Sequence, residues 1–197
     1  MKEYSPFTPG VPVPLEFFVG RAAEVRDIVD HVGKSVSQRA LERVFVSGDR
    51  GIGKSSLCRM AITVSEEQHG VLGLHVFLGG VKKLEEMGRR VFERLLQRSR
   101  DRTWYGAVRE FLGDHVKKVG LFGLSLEFTA SNDELRRSMS DFVYILGNLL
   151  EKIGPEKKGL IIALDDLNGL AGLPEFANWL KSFVDEASTS TDLFLCC

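Results

Sequence analysis

Cysteine is scarce in this chain of 197 residues, which contains only Cys58, Cys196 and Cys197. Two of the three are adjacent, and adjacent cysteines rarely bridge one another, so a disulfide framework is excluded. Such usage predicts a reducing, cytoplasmic compartment. Long hydrophobic runs are also missing. No segment has the apolar core of a signal peptide and none approaches about 18 apolar residues, so we expect no membrane span.

An excess of charge of one sign is likewise missing, because 26 Lys and Arg face 27 Asp and Glu. This balance excludes a general attraction to nucleic acid or to an anionic membrane, although a local nucleic-acid surface stays open. Residues 81–102 contain eight basic and four interleaved acidic residues, a pattern that favours a solvated helix face. The four histidines lie at no metal-ligand spacing from cysteines or carboxylates, so we expect them to be structural or exposed.

Proline is rare outside the N-terminus, since four of the six prolines lie in the first 14 residues. We expect residues 1–16 to form an extended proline-rich arm and residues 17–197 to form one core domain. In that domain helical and strand-like patterns alternate, which predicts an α/β fold of three layers around a mostly parallel sheet. The strands are predicted at RVFVS, VLGLHVFL, VGLFGLSLEF (as a strand or hairpin), GLIIAL and DLFLC. The helices are predicted from Arg21, from Lys54 to about Gln68, at VKKLEEMGRRVFERLLQRSR, at TWYGAVREFLGDHVKK, from a capping box at Ser131 to about Ile153, and from about Glu175 to Ala187.

The stretch SGDRGIGKSSL, Ser47 to Leu57, lies between the first predicted strand and the second predicted helix. Gly48, Gly53, Lys54 and Ser55 fit the spacing G-x-x-x-x-G-K-[ST], in which glycines let backbone N–H groups surround phosphate oxygens. Lys54 is expected to reach the β- and γ-phosphates and the Ser55 hydroxyl to bind Mg²⁺. Other predicted phosphate contacts come from Gly51, Ile52 and Ser56. A glycine turn without a ligand is the alternative, and the strand–loop–helix order disfavours it.

A second acidic motif follows the apolar run LIIAL. Asp165, at the predicted strand end, is the candidate Mg²⁺ ligand. Asp166 is the candidate that orients or deprotonates an attacking water. The alternative is a pair of aspartates that only caps a turn, which the apolar run before them disfavours.

These two segments resemble the Walker A and Walker B motifs of P-loop NTPases. Together with FFVGRAAEV, which opens the first helix, they resemble the ATPases of the AAA+ and STAND type, including origin-recognition-like and bacterial AAA ATPase families. The resemblance implies a P-loop NTPase fold in which the DLFLC strand lies between the Walker A and Walker B strands. It also implies that ATP or ADP binds with Mg²⁺, that Val19, Gly20 and Arg21 border the adenine, and that Leu57 helps to line the base pocket.

The resemblance leaves three functions open. The first is an ATPase module, with Lys54 and Asp166 as catalytic residues, that couples ATP hydrolysis to conformational change in a larger protein. The second is a STAND-like nucleotide switch or scaffold with little turnover, because Asp166 replaces a frequent glutamate. The third is a P-loop small-molecule kinase. A GTPase is disfavoured because the chain has no N-K-x-D motif.

The same resemblance predicts features that this sequence does not contain. In these families a sensor residue, an arginine finger and a helical lid follow the DLFLC strand. We therefore expect a domain without the lid, incomplete at its C-terminus, that hydrolyses ATP slowly by itself. Self-association through the ATPase domain and effector domains beyond Cys197 are expected as partners.

Overall fold

The computed structural model describes residues 20–115, 119–122, 125–128, 131–188 and 193–196. The predicted arm, residues 1–16, lies outside the described residues. The helices are α1 (Ala22–Gln38), α2 (Lys54–His69), α3 (Leu84–Ser99), α4 (Tyr105–His115), α5 (Asn132–Ser140), α6 (Phe142–Ile153) and α7 (Pro174–Ala187), with a 3₁₀ turn at Leu167–Gly169. The strands are β1 (Glu42–Val44), β2 (Leu72–Phe77), β3 (Val119–Phe122), β4 (Ser125–Phe128), β5 (Leu160–Asp165) and β6 (Leu193–Cys196).

Four strands form a parallel sheet in the order β1-β6-β5-β2, and β3 pairs with β4 as a separate antiparallel hairpin. The DLFLC strand was predicted to lie between the Walker A and Walker B strands, and this position is confirmed. It forms β6, which pairs with β1 on one side and with β5 on the other. Within the described part of the chain β1 is an edge strand. It is shorter than RVFVS, and its three residues match Phe194–Cys196 of β6.

Helices cover both faces of the sheet, and the alternation of side chains along β5 decides which residue meets which layer. Ile161 and Ala163 pack with α1 and α2. Leu160, Ile162 and Leu164 pack with the larger cluster formed by α3 to α7. The α/β fold of three layers is therefore confirmed. None of the described helices combines the length and apolar character needed to cross a bilayer.

The long helix predicted from Ser131 to about Ile153 is two helices, which meet at Asp141. Its predicted capping box is present, because Ser131 Oγ accepts from the Glu134 N–H at 3.3 Å and the Ser131 N–H donates to the Glu134 carboxylate at 2.8 Å. The two halves pack on different partners, α5 on α3 and α6 on α4 and α7. A break at Asp141 lets each half bury its own apolar stripe.

Helix α2 lies unusually close to the sheet, and a glycine makes that approach possible. A Cβ placed on Gly73 of β2 would come within 2.2 Å of the Ile62 Cγ2 on α2. The Gly73 N–H also donates to the Glu66 carboxylate at 2.9 Å, so α2 is held to β2 by a hydrogen bond as well as by packing. Since α2 begins at Lys54, this contact fixes the position of the glycine loop relative to the sheet.

We predict that Gly73→Ala lowers the free energy of unfolding by about 1–3 kcal/mol, because the buried Ile62 cannot move away without overpacking. The measurement is urea denaturation followed by circular dichroism. Gly147→Ala is the matched control: a Cβ there meets nothing within 4 Å, so it should be neutral or stabilising by up to about 1 kcal/mol. Equal stability of Gly73→Ala and wild type would contradict the close approach.

Candidate functional site

The glycine loop between β1 and α2 has the backbone that its sequence predicted. Gly48, Gly51 and Gly53 have φ values of +148°, +84° and +93°, which residues with a Cβ rarely adopt. Helix α2 begins directly after Gly53, has no side-chain cap and has no acidic residue in its first turn. Its partial positive charge and first N–H groups thus meet no carboxylate from its own first turn, which suits a phosphate.

Lys54 lies across this loop. Its ammonium donates to the carbonyl oxygens of Gly48 at 2.7 Å and of Asp49 at 2.9 Å. An ammonium carries three N–H bonds, so one is left for a further acceptor. Lys54 therefore holds the glycine loop closed and keeps its positive charge within that loop.

The second predicted motif reaches the loop through a hydrogen bond between side chains. Asp165 ends β5 and has the same parity as Ile161 and Ala163, so its carboxylate lies on the α2 face of the sheet. There it accepts a hydrogen bond from the Ser55 side chain, at the start of α2. Two side chains predicted to share a Mg²⁺ ion are thus neighbours in the fold, although 110 positions separate them in sequence.

A third side chain, His75 on β2, completes the environment of Asp165. Its Nε2 lies 3.0 Å from Asp165 Oδ2, and both side chains are largely buried. Burial by itself would raise the pKa of Asp165, but the hydrogen bonds from His75, Ser55 and the Asp166 backbone, with the attraction to His75, outweigh it and lower the pKa below its ordinary value. The carboxylate is therefore held ionised, the form that binds a cation.

Asp166 adopts a left-handed conformation, with φ 61° and ψ 63°, which is uncommon for a residue other than glycine. Asn168 Nδ2 donates to Asp166 Oδ1 at 2.6 Å. The other carboxylate oxygen lies over Gly79, where an added Cβ would be 2.9 Å from it. These contacts turn the Asp166 side chain toward the carboxyl end of β2, beside Asp165.

The remaining predicted binding residues differ in burial and in their distance along the chain from the glycine loop. Ile52 is half exposed on the loop, whereas Leu57 is buried at 4% exposure in the cluster that joins α1 and α2. Gly20 has a φ of +89° and Arg21 caps α1. No hydrogen bond among the described residues joins Arg21 to the loop. Val19 lies outside the described residues.

Sequence reasoning missed three residues of this site: His75, Gly79 and Asn168. His75 was expected to be structural or exposed, yet it contacts the candidate metal ligand. A signal was available, because His75 is a polar residue within an otherwise apolar buried strand. Gly79 and Asn168 carry no comparable signal, since their importance depends on the side chain of Asp166.

No three His, Cys, Asp or Glu side chains of the described residues converge as a protein cage for a metal. Mg²⁺ seldom needs such a cage, since it binds through one or two protein ligands together with substrate phosphates and water. The oxygens of Ser55 and Asp165 fit that requirement.

A glycine loop that opens a helix, with its serine hydrogen-bonded to an aspartate at the end of a parallel strand, defines a P-loop nucleotide-binding module. A family model described as AAA ATPase domain matches residues 18–195. The chain therefore belongs to the AAA ATPase domain family, and the resemblance drawn from its motifs is confirmed. Neither the curated proteins nor the solved structures that were searched gave a match.

We predict that His75→Leu raises the pKa of Asp165, because the buried carboxylate loses a hydrogen bond and a favourable charge. The check is an NMR titration of the Asp165 carboxyl carbon in protein without nucleotide or Mg²⁺. His31→Leu, which removes a histidine contact to Glu42 instead, should leave that pKa unchanged.

The effect on stability has a defined sign. A carboxyl group whose pKa is lowered on folding stabilises the fold at pH values above its ordinary 3.8, and this contribution fades as the pH falls through the lowered value. His75→Leu should therefore lose less stability than wild type on acidification below about pH 4. A lower or unchanged Asp165 pKa in the variant would contradict the proposed contact.

Proposed function

We propose that this domain binds ATP with Mg²⁺ at the loop Gly48–Ser56 and hydrolyses it, coupling the reaction to conformational change in a larger protein. The observation that carries the proposal is the hydrogen bond between Ser55 and Asp165. It supports a single site built from both motifs. The family membership supports the coarser part of the proposal, which is that the domain is an ATP-binding P-loop module.

In this proposal the phosphates are held mainly by the backbone. N–H groups of the loop and of the uncapped start of α2 donate to phosphate oxygens, and Lys54 leaves the Gly48 and Asp49 carbonyls to bind the β- and γ-phosphates. Gly51, Ile52 and Ser56 contribute further loop contacts. The adenine lies near Val19, Gly20 and Arg21, and Leu57 supports that pocket from below.

Ser55 and Asp165 would hold Mg²⁺, which when bound neutralises charge on the phosphates. Ser55 and Asp165 are already neighbours, and the Asp165 carboxylate is kept ionised by its donors. His75 fixes the orientation of the carboxylate from the β2 side. Asp165 therefore needs little reorganisation to act as a ligand.

Asp166 is the proposed base or orienting group for the attacking water. Its carboxylate lies beside Asp165 at the carboxyl edge of the sheet. One of its oxygens is engaged by Asn168, so the other oxygen is the one available to a water molecule.

A nucleotide-dependent switch with little turnover is the second candidate. It is favoured by the contact between Asn168 and Asp166, because a base that is hydrogen-bonded at 2.6 Å and is one methylene shorter than glutamate reaches less far. Transfer to a small-molecule acceptor, as in a P-loop kinase, remains a third possibility, and a phosphorylated acceptor in a substrate screen would favour it.

Partners are proposed on the same basis. Within the described residues β1 has a partner strand on one side only, which favours self-association through the ATPase domain, and effector domains are proposed beyond Cys197. A transition-state arginine from a neighbouring copy is worth roughly 10³–10⁵ in rate in related phosphoryl-transfer enzymes. Slow turnover by the single domain is therefore part of the proposal.

We predict that Lys54→Ala weakens ATP affinity roughly 10- to 100-fold, because one charge-assisted contact to the phosphates is worth about 1.5–3 kcal/mol. Isothermal titration calorimetry measures the change. Lys34→Ala, which removes an exposed lysine of α1, is the matched control and should bind ATP as wild type does. Equal affinities for all three proteins would place the nucleotide elsewhere.

We predict that Asp166→Asn abolishes phosphate release from ATP while ATP affinity stays within about threefold of wild type, because the carboxylate acts on water rather than on the bound phosphates. Steady-state phosphate release and calorimetry measure the two quantities. Asp185→Asn, at an exposed position on α7, is the control. A wild type that binds ATP but shows no turnover, even with the longer protein, would favour the switch.

A further inference from the structure

A second charged site lies at the other end of α2 from the glycine loop. A cavity of about 200 Å³ opens between the C-terminal halves of α2 and α3, beside the start of β2. Thr63 and Glu66, which line it, follow Ser55 by two to three helical turns, which places them roughly 12–17 Å along the helix. The cavity is therefore separate from the nucleotide site. Its lining is Thr63, Glu66, Glu67, Leu72, Arg98, Arg102, Trp104 and Lys157.

The cations around this cavity outnumber the acids. Arg98 is the one paired with an acid, namely Glu66, and Glu66 also accepts from the Gly73 N–H. Arg102 and Lys157 form no ion pair or side-chain hydrogen bond among the described residues. Glu67 is exposed and likewise has no described partner. The lining thus presents two unpaired cations against one exposed acid.

Two further arginines, Arg94 and Arg59, add positive charge behind the lining. Burial lowers the pKa of Arg94, and repulsion from Arg98 and Arg59 lowers it further, against a smaller opposing attraction to Glu66. The Nε atoms of Arg94 and Arg98 are buried and have no hydrogen-bond partner among the described residues. Buried N–H donors without an acceptor are costly, so the cluster is short of negative charge and of acceptors.

The ends of α2 and α3 supply a simpler explanation for part of this charge. Carbonyl groups at a helix C-terminus attract cations, and His69 and Arg98 lie in the last turns of these helices. That attraction does not extend to Arg102 and Lys157, which lie on loops, nor does it provide acceptors for the buried Nε atoms. An anion bound in the cavity would pair with Arg102 and Lys157, which line it.

We propose that this cavity, which we call the arginine pocket, binds a tetrahedral dianion: inorganic phosphate or the phosphate of a small monoester. The size of the pocket favours a small ligand, because sites for drug-sized molecules or nucleotides usually enclose about 300–1,000 Å³. Guanidinium groups match phosphate oxygens in pairs, and Arg98 and Arg102 both line the pocket. Trp104 and Leu72 provide an apolar wall suited to the carbon part of a monoester.

The pocket contains its own reporter, since the chain has two tryptophans and Trp104 lines the pocket. In a Trp179→Phe, Lys54→Ala background, Trp104 is the sole tryptophan and the glycine loop lacks its lysine. Sodium phosphate and glycerol phosphate are titrated against sodium chloride at constant ionic strength. We expect a saturable change in Trp104 fluorescence with at least one of the phosphates and none with chloride; the stronger binder of the two identifies the source of the phosphate group.

Variants then locate the site. Arg102→Gln and Lys157→Gln should each weaken phosphate binding roughly tenfold. Arg100→Gln and Lys158→Gln, which change exposed neighbours outside the lining, should leave it within about twofold. Circular dichroism checks that each variant is folded, and ATP affinity measured in Arg102→Gln with Lys54 intact should equal that of wild type.

Three results would overturn the proposal. The first is an equal response to phosphate and chloride, which would indicate screening of the surface by salt. The second is equal weakening by the pocket and the control variants. The third is a phosphate response that is present with Lys54 and lost in Lys54→Ala, which would assign the signal to the glycine loop. Since the titration does not use nucleotide, its failure would leave the proposed ATPase function untouched.

Discussion

The pairing of β6 with both β1 and β5 is the constraint on which the site depends. Parallel strands lie about 4.8 Å apart, so a strand inserted between two others separates them by roughly 10 Å. The glycine loop leaves the carboxyl end of β1, and Asp165 stands at the carboxyl end of β5. The separation lets the loop curl back over β6 and begin α2, and Ser55 then reaches Asp165 from above.

The alternation of side chains along the strands decides which of them face α2. Odd-numbered positions of β5 and β2 turn toward α1 and α2, which places Asp165 and His75 under the start of α2. The even-numbered positions are apolar and fill the larger core on the other face. At the carboxyl edge of this face, Ser55 and the Asp166 backbone provide hydrogen bonds that help His75 to keep the Asp165 carboxylate ionised.

Helix α2 connects the two proposed phosphate sites to the sheet. Its first residues form the nucleotide loop, and its last two turns line the arginine pocket. Gly73 brings the helix close to β2, and Glu66 ties it both to that strand and to Arg98 of α3.

The sequence by itself determined the motifs and the class of fold. The spacing of Gly48, Gly53, Lys54 and Ser55 predicted a phosphate loop, because glycine adopts without strain the positive φ values that the structure has at Gly48 and Gly53. The apolar run before Asp165 predicted a buried strand, and alternating patterns predicted the three layers. These are local features, readable from a few neighbouring residues.

The tertiary structure decided which residues distant in sequence are in contact. Only the fold brings His75 to Asp165, Gly79 to Asp166, and Arg98 and Lys157 into one cavity, because these pairs are far apart in sequence or depend on a side-chain direction. The basic residues of 81–102 were predicted to form a solvated helix face. They include Arg94 and Arg98, whose Nε atoms are buried. Periodicity gives the face of a helix, but the neighbour that covers that face is chosen by long-range packing, and burial sets the free-energy cost of each unpaired charge.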